Sequence, residues 1–85
     1  MSTVQQIVSL IIEAERQIDD QINRLTTFSG ELDQVSQKVD AVLSGSNEKY
    51  LQQMIQQVSA TKKQVDDTIL RLRQAKDKLE TVKLI

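Results

Sequence analysis

Apolar residues recur along the first half of the chain at steps of three or four positions. This spacing averages about 3.5 residues, the repeat of a long amphipathic helix whose apolar side chains lie along one face. The residues with this spacing are Val4, Ile7, Ile11, Ala14, Ile18, Ile22, Leu25, Phe28, Leu32, Val35, Val39 and Val42. The pattern therefore predicts one helix over residues 3–43, and Ser2 and Gln5 at its start have the spacing of a capping box.

The segment 26–30, Thr-Thr-Phe-Ser-Gly, is the weak point of this pattern, and a break there would give three helices instead of two. The apolar spacing nevertheless crosses the segment in phase, from Leu25 to Leu32. A glycine inside a helix costs only about 1 kcal/mol. We therefore expect a continuous first helix, and any bend in it should lie near Gly30.

A second apolar pattern with the same spacing occupies the other half of the chain. Its members are Leu51, Ile55, Val58, Val65, Ile69, Leu72, Leu79 and Val82. Lys62 and Lys76 stand where the spacing requires apolar residues, but a lysine stem can lie along apolar surface while its ammonium group stays in water. A second helix is predicted over residues 47–83, less fully buried than the first.

The segment 44–47, Ser-Gly-Ser-Asn, separates the two patterns and predicts a loop. Gly45 can adopt the left-handed conformation that ends a helix, and Ser46 or Asn47 can cap the next helix. So short a loop makes its helices antiparallel neighbours. The expected fold is all-α: residues 1–85 form a single antiparallel two-helix coiled-coil hairpin, which can complete a four-helix bundle with a partner.

The two halves of the chain carry opposite net charge. Residues 1–43 hold seven acidic and three basic side chains, whereas residues 46–85 hold five acidic and eight basic ones. Each exposed ion pair contributes only about 0–1 kcal/mol, so the charges select the pairing of the arms more than they stabilise it. Folding about Gly45 would place residue i near residue 90 − i. This register predicts that Ile11 meets Leu79, that Ile18 meets Leu72, and that Asp19 and Asp20 meet Arg71.

The composition excludes most catalytic, metal and nucleic-acid chemistry. The chain has no Cys, His, Trp or Pro, a net charge of −1, and one Phe and one Tyr. The usual general base, the thiolate ligand and a base-stacking platform are therefore missing. The pairs Asp19-Asp20 and Asp66-Asp67 diverge by about 100° on a helix and fit a solvated surface. We expect a non-enzymatic protein with no catalytic residue, no cofactor, no metal and no nucleic-acid partner.

No apolar run is long enough for a signal-peptide core or a membrane span, since none is longer than Leu10-Ile11-Ile12. The sequence thus predicts a cytoplasmic protein with no cleavable signal and no stable membrane insertion. A chain without cysteine suits either redox compartment, so composition leaves export open.

Apolar residues outside the main patterns gather near the two termini, at the open end of the predicted hairpin. They are Val8, Leu10, Ile12, Leu70, Leu84 and Ile85. Two helices share one line of contact, so apolar side chains elsewhere indicate a surface that a partner covers. The predicted partner-binding residues are Val8, Ile11, Ile12, Ile18, Leu70, Leu72 and Leu79.

The predicted turn Leu43-Ser44-Gly45 lies halfway along a short chain between two amphipathic helices. This arrangement resembles the WXG family of small helical hairpins associated with type VII secretion in Gram-positive bacteria. Leu43 stands where that family has Trp, and Gly45 matches its Gly. The family's export signal, Tyr followed four residues later by an acid, is missing because Met54 follows Tyr50 at that spacing.

These departures are similar to those of the small helical proteins encoded with LXG-type toxins, which often lack the WXG signature. The resemblance implies an escort that binds the helical amino-terminal domain of an exported toxin, with a second small helical partner or co-export as further options. The alternatives are a structural coiled-coil hairpin and a self-assembling helical adaptor, such as a homodimer. A membrane-active hairpin fits less well, because no Lys-rich stripe backed by Trp or Phe is present.

Overall fold

The computed structural model describes residues 3–43 and 49–84, and these form two long α-helices. Helix α1 spans Val4–Leu43 and helix α2 spans Lys49–Lys83. They pack side by side in a rod that measures 66 × 17 × 14 Å. The predicted all-α hairpin is confirmed. The predicted turn residues Ser44 and Gly45 lie outside the described residues, as does the side chain of Leu43.

Helix α1 begins with a capping box one residue later than the sequence spacing predicted. The backbone N–H of Gln6 donates to Thr3 Oγ1 over 3.2 Å, and the N–H of Thr3 donates to Gln6 Oε1 over 3.2 Å. Ser2 lies outside the described residues. Thr3 and Gln6 repeat the chemistry of Ser2 and Gln5, so the sequence offers the same box in two adjacent registers.

Helix α1 continues through the segment 26–30, as predicted. The Thr26 hydroxyl donates to the Ile22 carbonyl over 2.7 Å, and the Thr27 hydroxyl donates to the Asn23 carbonyl over 3.1 Å. Both hydroxyls are thus satisfied inside the helix, four residues back. A Cβ atom at Gly30 would meet no atom within 4 Å. Close packing therefore does not require glycine at this position.

Burial along both helices follows a heptad repeat in which two rows of residues face the other helix. The d row is Val4, Ile11, Ile18, Leu25, Leu32 and Val39 on α1, with Leu51, Val58, Val65, Leu72 and Leu79 on α2. The a row is Val8, Glu15, Ile22, Ser29 and Ser36 on α1, with Ile55, Lys62, Ile69, Lys76 and Lys83 on α2. All except Val4 are buried or half-buried. The d row is entirely apolar, whereas most of the a row is polar.

The predicted buried face of α1 was wrong for one of its two rows. Ile7, Phe28, Val35 and Val42 were placed inside, but Phe28 is 43% exposed and Val42 is 81% exposed. Ser29 turns inward beside Phe28 instead, with 9% exposure. On α2, Val82 is likewise exposed while the next residue, Lys83, is half-buried.

The reason is that three neighbouring rows of α1, the g, d and a rows, all contain apolar residues. Apolar spacing of three and four residues is compatible with burial of the d row together with either the a row or the g row. The lysines of the α2 a row settle the choice, because their ammonium groups need carboxylates within reach. Rotating the a row of α1 inward brings Glu15 and Ser29 close to polar groups of α2.

The apolar core is small. Only Ile11, Ile22, Val65 and Ile69 are buried hydrophobic residues among those described. The last three form one cluster, and partly buried residues of the d row pack against it: Ile18, Leu25, Leu32 and Leu72. A core of this size leaves the hairpin only marginally stabilised by its own packing.

The register of the two helices differs from the predicted one by five residues. Three of the four polar cross-helix contacts among the described residues, which join Asp19 to Lys76, Asp33 to Lys62 and Ser29 to Asp66, have residue numbers that add up to 95. The fourth, near the open end, joins Glu15 to the long side chain of Lys83, and its numbers add up to 98. The predicted pairing of residue i with residue 90 − i, including Asp19 and Asp20 with Arg71, is therefore wrong. Asp20 instead pairs with Arg24 on its own helix, at 3.2 Å. Contacts between half-buried lysines and carboxylates set the register.

Candidate interaction surface

The e rows of the two helices border one side of the rod, which we call the ionic face. Its members are Ile12, Asp19, Thr26, Asp33 and Asp40 on α1, and Gln52, Ser59, Asp66, Arg73 and Glu80 on α2. Side chains of both e rows, among them Asp33 and Asp66, line the same open groove. Because the e rows share this side, the opposite rows of the two helices share the other side.

Hydrogen bonds and ion pairs on the ionic face connect the helices. Lys76 Nζ lies 2.8 Å from Asp19 Oδ1. Lys62 Nζ lies 2.9 Å from Asp66 Oδ2 and 3.7 Å from Asp33 Oδ1. The Ser29 hydroxyl donates to Asp66 Oδ1 over 2.7 Å, so this carboxylate has a partner on each helix. These contacts hold the polar side chains of the a row in place, and they leave few charged side chains of the ionic face without a partner.

The most buried charged group is Glu15, in the a row near the open end of the hairpin. Its side chain is 8% exposed, and Lys83 Nζ lies 2.9 Å from its Oε1. Lys83 also lies 3.0 Å from Glu80 Oε1. Glu15 Oε2 is buried and has no hydrogen-bond partner among the described residues. The pair of Glu15 with Lys83 helps to align the two helices. It does so at an energetic cost, because a buried carboxylate oxygen without a hydrogen-bond donor is unfavourable.

The ion pairs shift the protonation equilibria of the groups involved. Hydrogen bonds to Asp66, Asp19 and Glu15 raise the pKa values of Lys62, Lys76 and Lys83, respectively. The hydrogen bond from Lys62, followed by that from Ser29, lowers the pKa of Asp66. All four groups are therefore more firmly charged in the folded chain than in the unfolded one.

The g rows of the two helices form the other side of the rod, which we call the apolar face. Its members are Ile7, Ala14, Gln21, Phe28, Val35 and Val42 on α1, and Met54, Thr61, Thr68, Ala75 and Val82 on α2. None of them is charged. Exposure is 49% for Ile7, 44% for Val35 and 43% for Met54. The apolar face thus offers large hydrophobic side chains to solvent near both ends of the rod and at Phe28, and the positions between them hold Ala, Gln or Thr.

The structure does not gather the predicted partner-binding residues into one surface. Those of the d row face the other helix: Ile11, Ile18, Leu72 and Leu79. Val8 is half-buried in the a row, and Ile12 lies on the ionic face with 45% exposure. Leu70 is 55% exposed and belongs to neither face. Their role in partner binding stays a prediction, and the sequence signal that was missed is the absence of charge from the g rows.

The described residues also include neither a cluster of side chains that could bind a metal ion nor a membrane-spanning segment. Within residues 3–43 and 49–84, no three side chains of Asp or Glu converge as metal ligands would. Neither described helix is apolar over a stretch long enough to cross a bilayer. Comparison of the chain with family models, with curated proteins and with solved structures found no match.

Proposed function

We propose that the hairpin is a non-enzymatic partner protein that packs its apolar face against the helical domain of a larger exported protein. The observation that carries this proposal is the apolar face itself, which is uncharged on both helices and exposes large hydrophobic side chains at Phe28, Val35 and Val42 of α1 and at Met54 and Val82 of α2. Exposed apolar patches bordered by polar residues commonly mark sites of protein association. The resemblance to the small helical partners of LXG-type toxins suggests the amino-terminal domain of such a toxin as the client.

The spacing of the apolar face favours a helical partner over an irregular one. Phe28, Val35 and Val42 follow one another at seven-residue intervals along α1. This is the repeat with which side chains of one helix fit between those of another. A client helix that lay along the rod could therefore use several of these side chains at once.

The small core gives a physical reason for such a partner. The hairpin has only four buried hydrophobic residues in the described part of the chain, and a short chain buries a small fraction of its surface on folding. A client helix on the apolar face would bury Phe28, Val35 and Met54 as well. Binding of this kind stabilises the folded hairpin, because the unfolded chain does not present the face.

Co-expression with the helical amino-terminal domain of an LXG-type toxin encoded beside this gene tests the proposal. We expect a complex that survives size-exclusion chromatography. Val35→Asp should abolish it, because a carboxylate on the apolar face would be buried without a partner.

Gln34→Asp is the matched control, since it adds the same charge one residue away on the exposed surface of α1. It should leave the complex intact, and circular dichroism should show both variants to be helical. Failure to form a complex would overturn the escort proposal. A complex that tolerates Val35→Asp would show that the client uses another surface.

A further inference from the structure

A border of charged residues runs along both outer edges of the apolar face. This c row precedes each g residue by four positions, so on a helix the two are surface neighbours. Its members are Leu10, Gln17, Arg24, Glu31 and Lys38 on α1, and Tyr50, Gln57, Gln64, Arg71 and Lys78 on α2, all of them exposed. The row holds four basic residues and one acidic residue, whereas the ionic face and its own border, the b row with Arg16, Lys49, Lys63 and Asp77, together hold six acidic and four basic residues. The rod is therefore polarised across its short axis.

The basic residues of this border have little compensation within the chain. Arg24 pairs with Asp20 at 3.2 Å, but both side chains are more than half exposed, and such pairs are weak. Lys38, Arg71 and Lys78 form no ion pair with any residue that the structure describes. With residue i facing residue 95 − i, Arg71 and Lys78 lie level with residues 24 and 17 of α1, so the positive charge is concentrated beside the part of the apolar face before Phe28.

The register places two of these charges at one level of the rod. Residue i faces residue 95 − i, so Arg24 and Arg71 stand opposite each other on the two borders. Phe28, the only aromatic residue of the apolar face, lies one turn from Arg24. A helix seated on the face near Phe28 would therefore have a guanidinium group on either side of it.

We infer that the apolar face takes a helix whose own apolar stripe is bordered by Asp and Glu. This inference rests on the proposed function and specifies the chemistry of the client's binding surface. Acidic borders would meet Arg24, Arg71 and Lys78, and complementary charge speeds association and selects the correct partner.

Two other occupants fit this face less well. A second copy of the chain would bring the same basic border against this one, and like charges at an interface oppose association. An anionic bilayer would attract the basic border, but binding to lipid does not depend on a seven-residue repeat of apolar side chains. Gln21, Thr61 and Thr68 also interrupt the apolar face, which reduces the depth to which lipid could cover it.

Two synthetic amphipathic peptides of about four heptads provide the test. Both carry the same leucine stripe, one bordered by Glu and the other by Lys, and each is titrated with the full-length hairpin by fluorescence anisotropy. We expect the Glu-bordered peptide to bind at least about tenfold more tightly than the Lys-bordered one at low salt. The difference should shrink between about 50 mM and about 500 mM NaCl, because salt screens exposed charges.

The double variant Arg71→Glu, Lys78→Glu should reverse the preference between the two peptides. The matched control is Arg16→Glu, Lys63→Glu, which makes the same change in net charge at exposed positions outside the c row. The control should retain the preference of the wild-type chain.

The inference and the proposed function fail in different ways. Equal binding of both peptides, or unchanged preference in the Arg71→Glu, Lys78→Glu variant, would overturn the acidic-border inference even if the client complex forms. Loss of the client complex overturns the proposed function whatever the peptides do. Tight binding to phosphatidylglycerol vesicles without binding to the Glu-bordered peptide would assign the face to a membrane. Self-association that excludes this peptide would assign it to a second copy.

Discussion

At the scale of single residues, the polar side chains of the a row determine how the two helices meet. Glu15, Ser29, Lys62 and Lys76 occupy positions where a simple coiled coil would carry apolar residues. Each has a polar partner on the other helix, at distances of 2.7–3.7 Å. Misalignment of the helices would leave these groups partly buried and unpaired, which is more costly than the pairs are stabilising. The polar side chains of the a row therefore select one alignment of the two helices more than they stabilise the fold.

Gly30→Ala should stabilise the hairpin. Gly30 lies inside α1, is exposed, and has open space where a Cβ atom would stand. Alanine has the higher helix propensity, so we expect a gain of about 1 kcal/mol in the free energy of unfolding, measured by urea denaturation. The reverse change at the exposed helical position Ala60, Ala60→Gly, should lose a similar amount. A destabilised Gly30→Ala variant would indicate that α1 needs the flexibility of glycine here.

Ile22 and Phe28 should respond very differently to truncation, although both fit the apolar spacing of the sequence. Ile22 is 8% exposed in the central cluster, so Ile22→Ala should cost about 2–4 kcal/mol. Phe28→Ala removes a larger side chain that is 43% exposed, and it should cost about 1 kcal/mol or less.

Denaturant midpoints compare the two variants, and Ile22→Val, with an expected cost of about 1 kcal/mol, serves if Ile22→Ala is too unstable to fold. Similar losses at Ile22 and Phe28 would mean that Phe28 is packed inside the hairpin.

At the scale of the helices, periodicity and propensity predicted two long helices and the continuity of α1, but not which rows face inward. The bounds of α1 and α2, and the passage of α1 through Gly30, follow from the seven-residue spacing and the lack of proline. The spacing could not decide whether Phe28 or Ser29 faces inward, because the apolar rows on either side of the d row are both compatible with it. Only the partners of Lys62 and Lys76 decide this, and those depend on the other helix.

The contacts between α1 and α2 predict how stability varies with pH. The pKa of Asp66 is lowered in the folded chain, so its contribution is present above about pH 4 and is lost as the pH falls through the folded value. The pKa values of Lys62, Lys76 and Lys83 are raised, so their contributions are present below about pH 10 and are lost as the pH rises through the folded values.

Urea denaturation as a function of pH should therefore show a plateau at neutral pH and a decline at both extremes. Asp66→Asn should flatten part of the acid decline. Asp67→Asn, at an exposed neighbouring position with no ion pair among the described residues, should leave the decline unchanged. An acid decline unaltered by Asp66→Asn would mean that the Lys62–Asp66–Ser29 contacts do not form in solution.

At the scale of the whole molecule, the register sets which ends of the two helices coincide. The chain contains no cysteine, so a pair of introduced cysteines can report the register directly. Asp19→Cys with Lys76→Cys should cross-link readily with a short bismaleimide. Asp19→Cys with Arg71→Cys should not, because five residues displace the second thiol by about 7.5 Å along the helix and the c row places it on the other side of the rod.

Gel mobility and intact mass distinguish the cross-linked chain from the open one, and other cross-helix ion pairs remain to hold the register in both variants. Equal yields from the two cysteine pairs would contradict a fixed register. A higher cross-linking yield from Asp19→Cys with Arg71→Cys would support the pairing of residue i with residue 90 − i.

The small core has a consequence for turnover in the cell. A hairpin that buries four hydrophobic residues among those the structure describes opens more often than a larger domain, and proteases cleave the opened chain. A client seated on the apolar face binds only the closed form and lowers the population that proteases can reach. Proteolysis would then remove hairpins that lack a client, so the abundance of this protein would follow that of its client without any control of its synthesis.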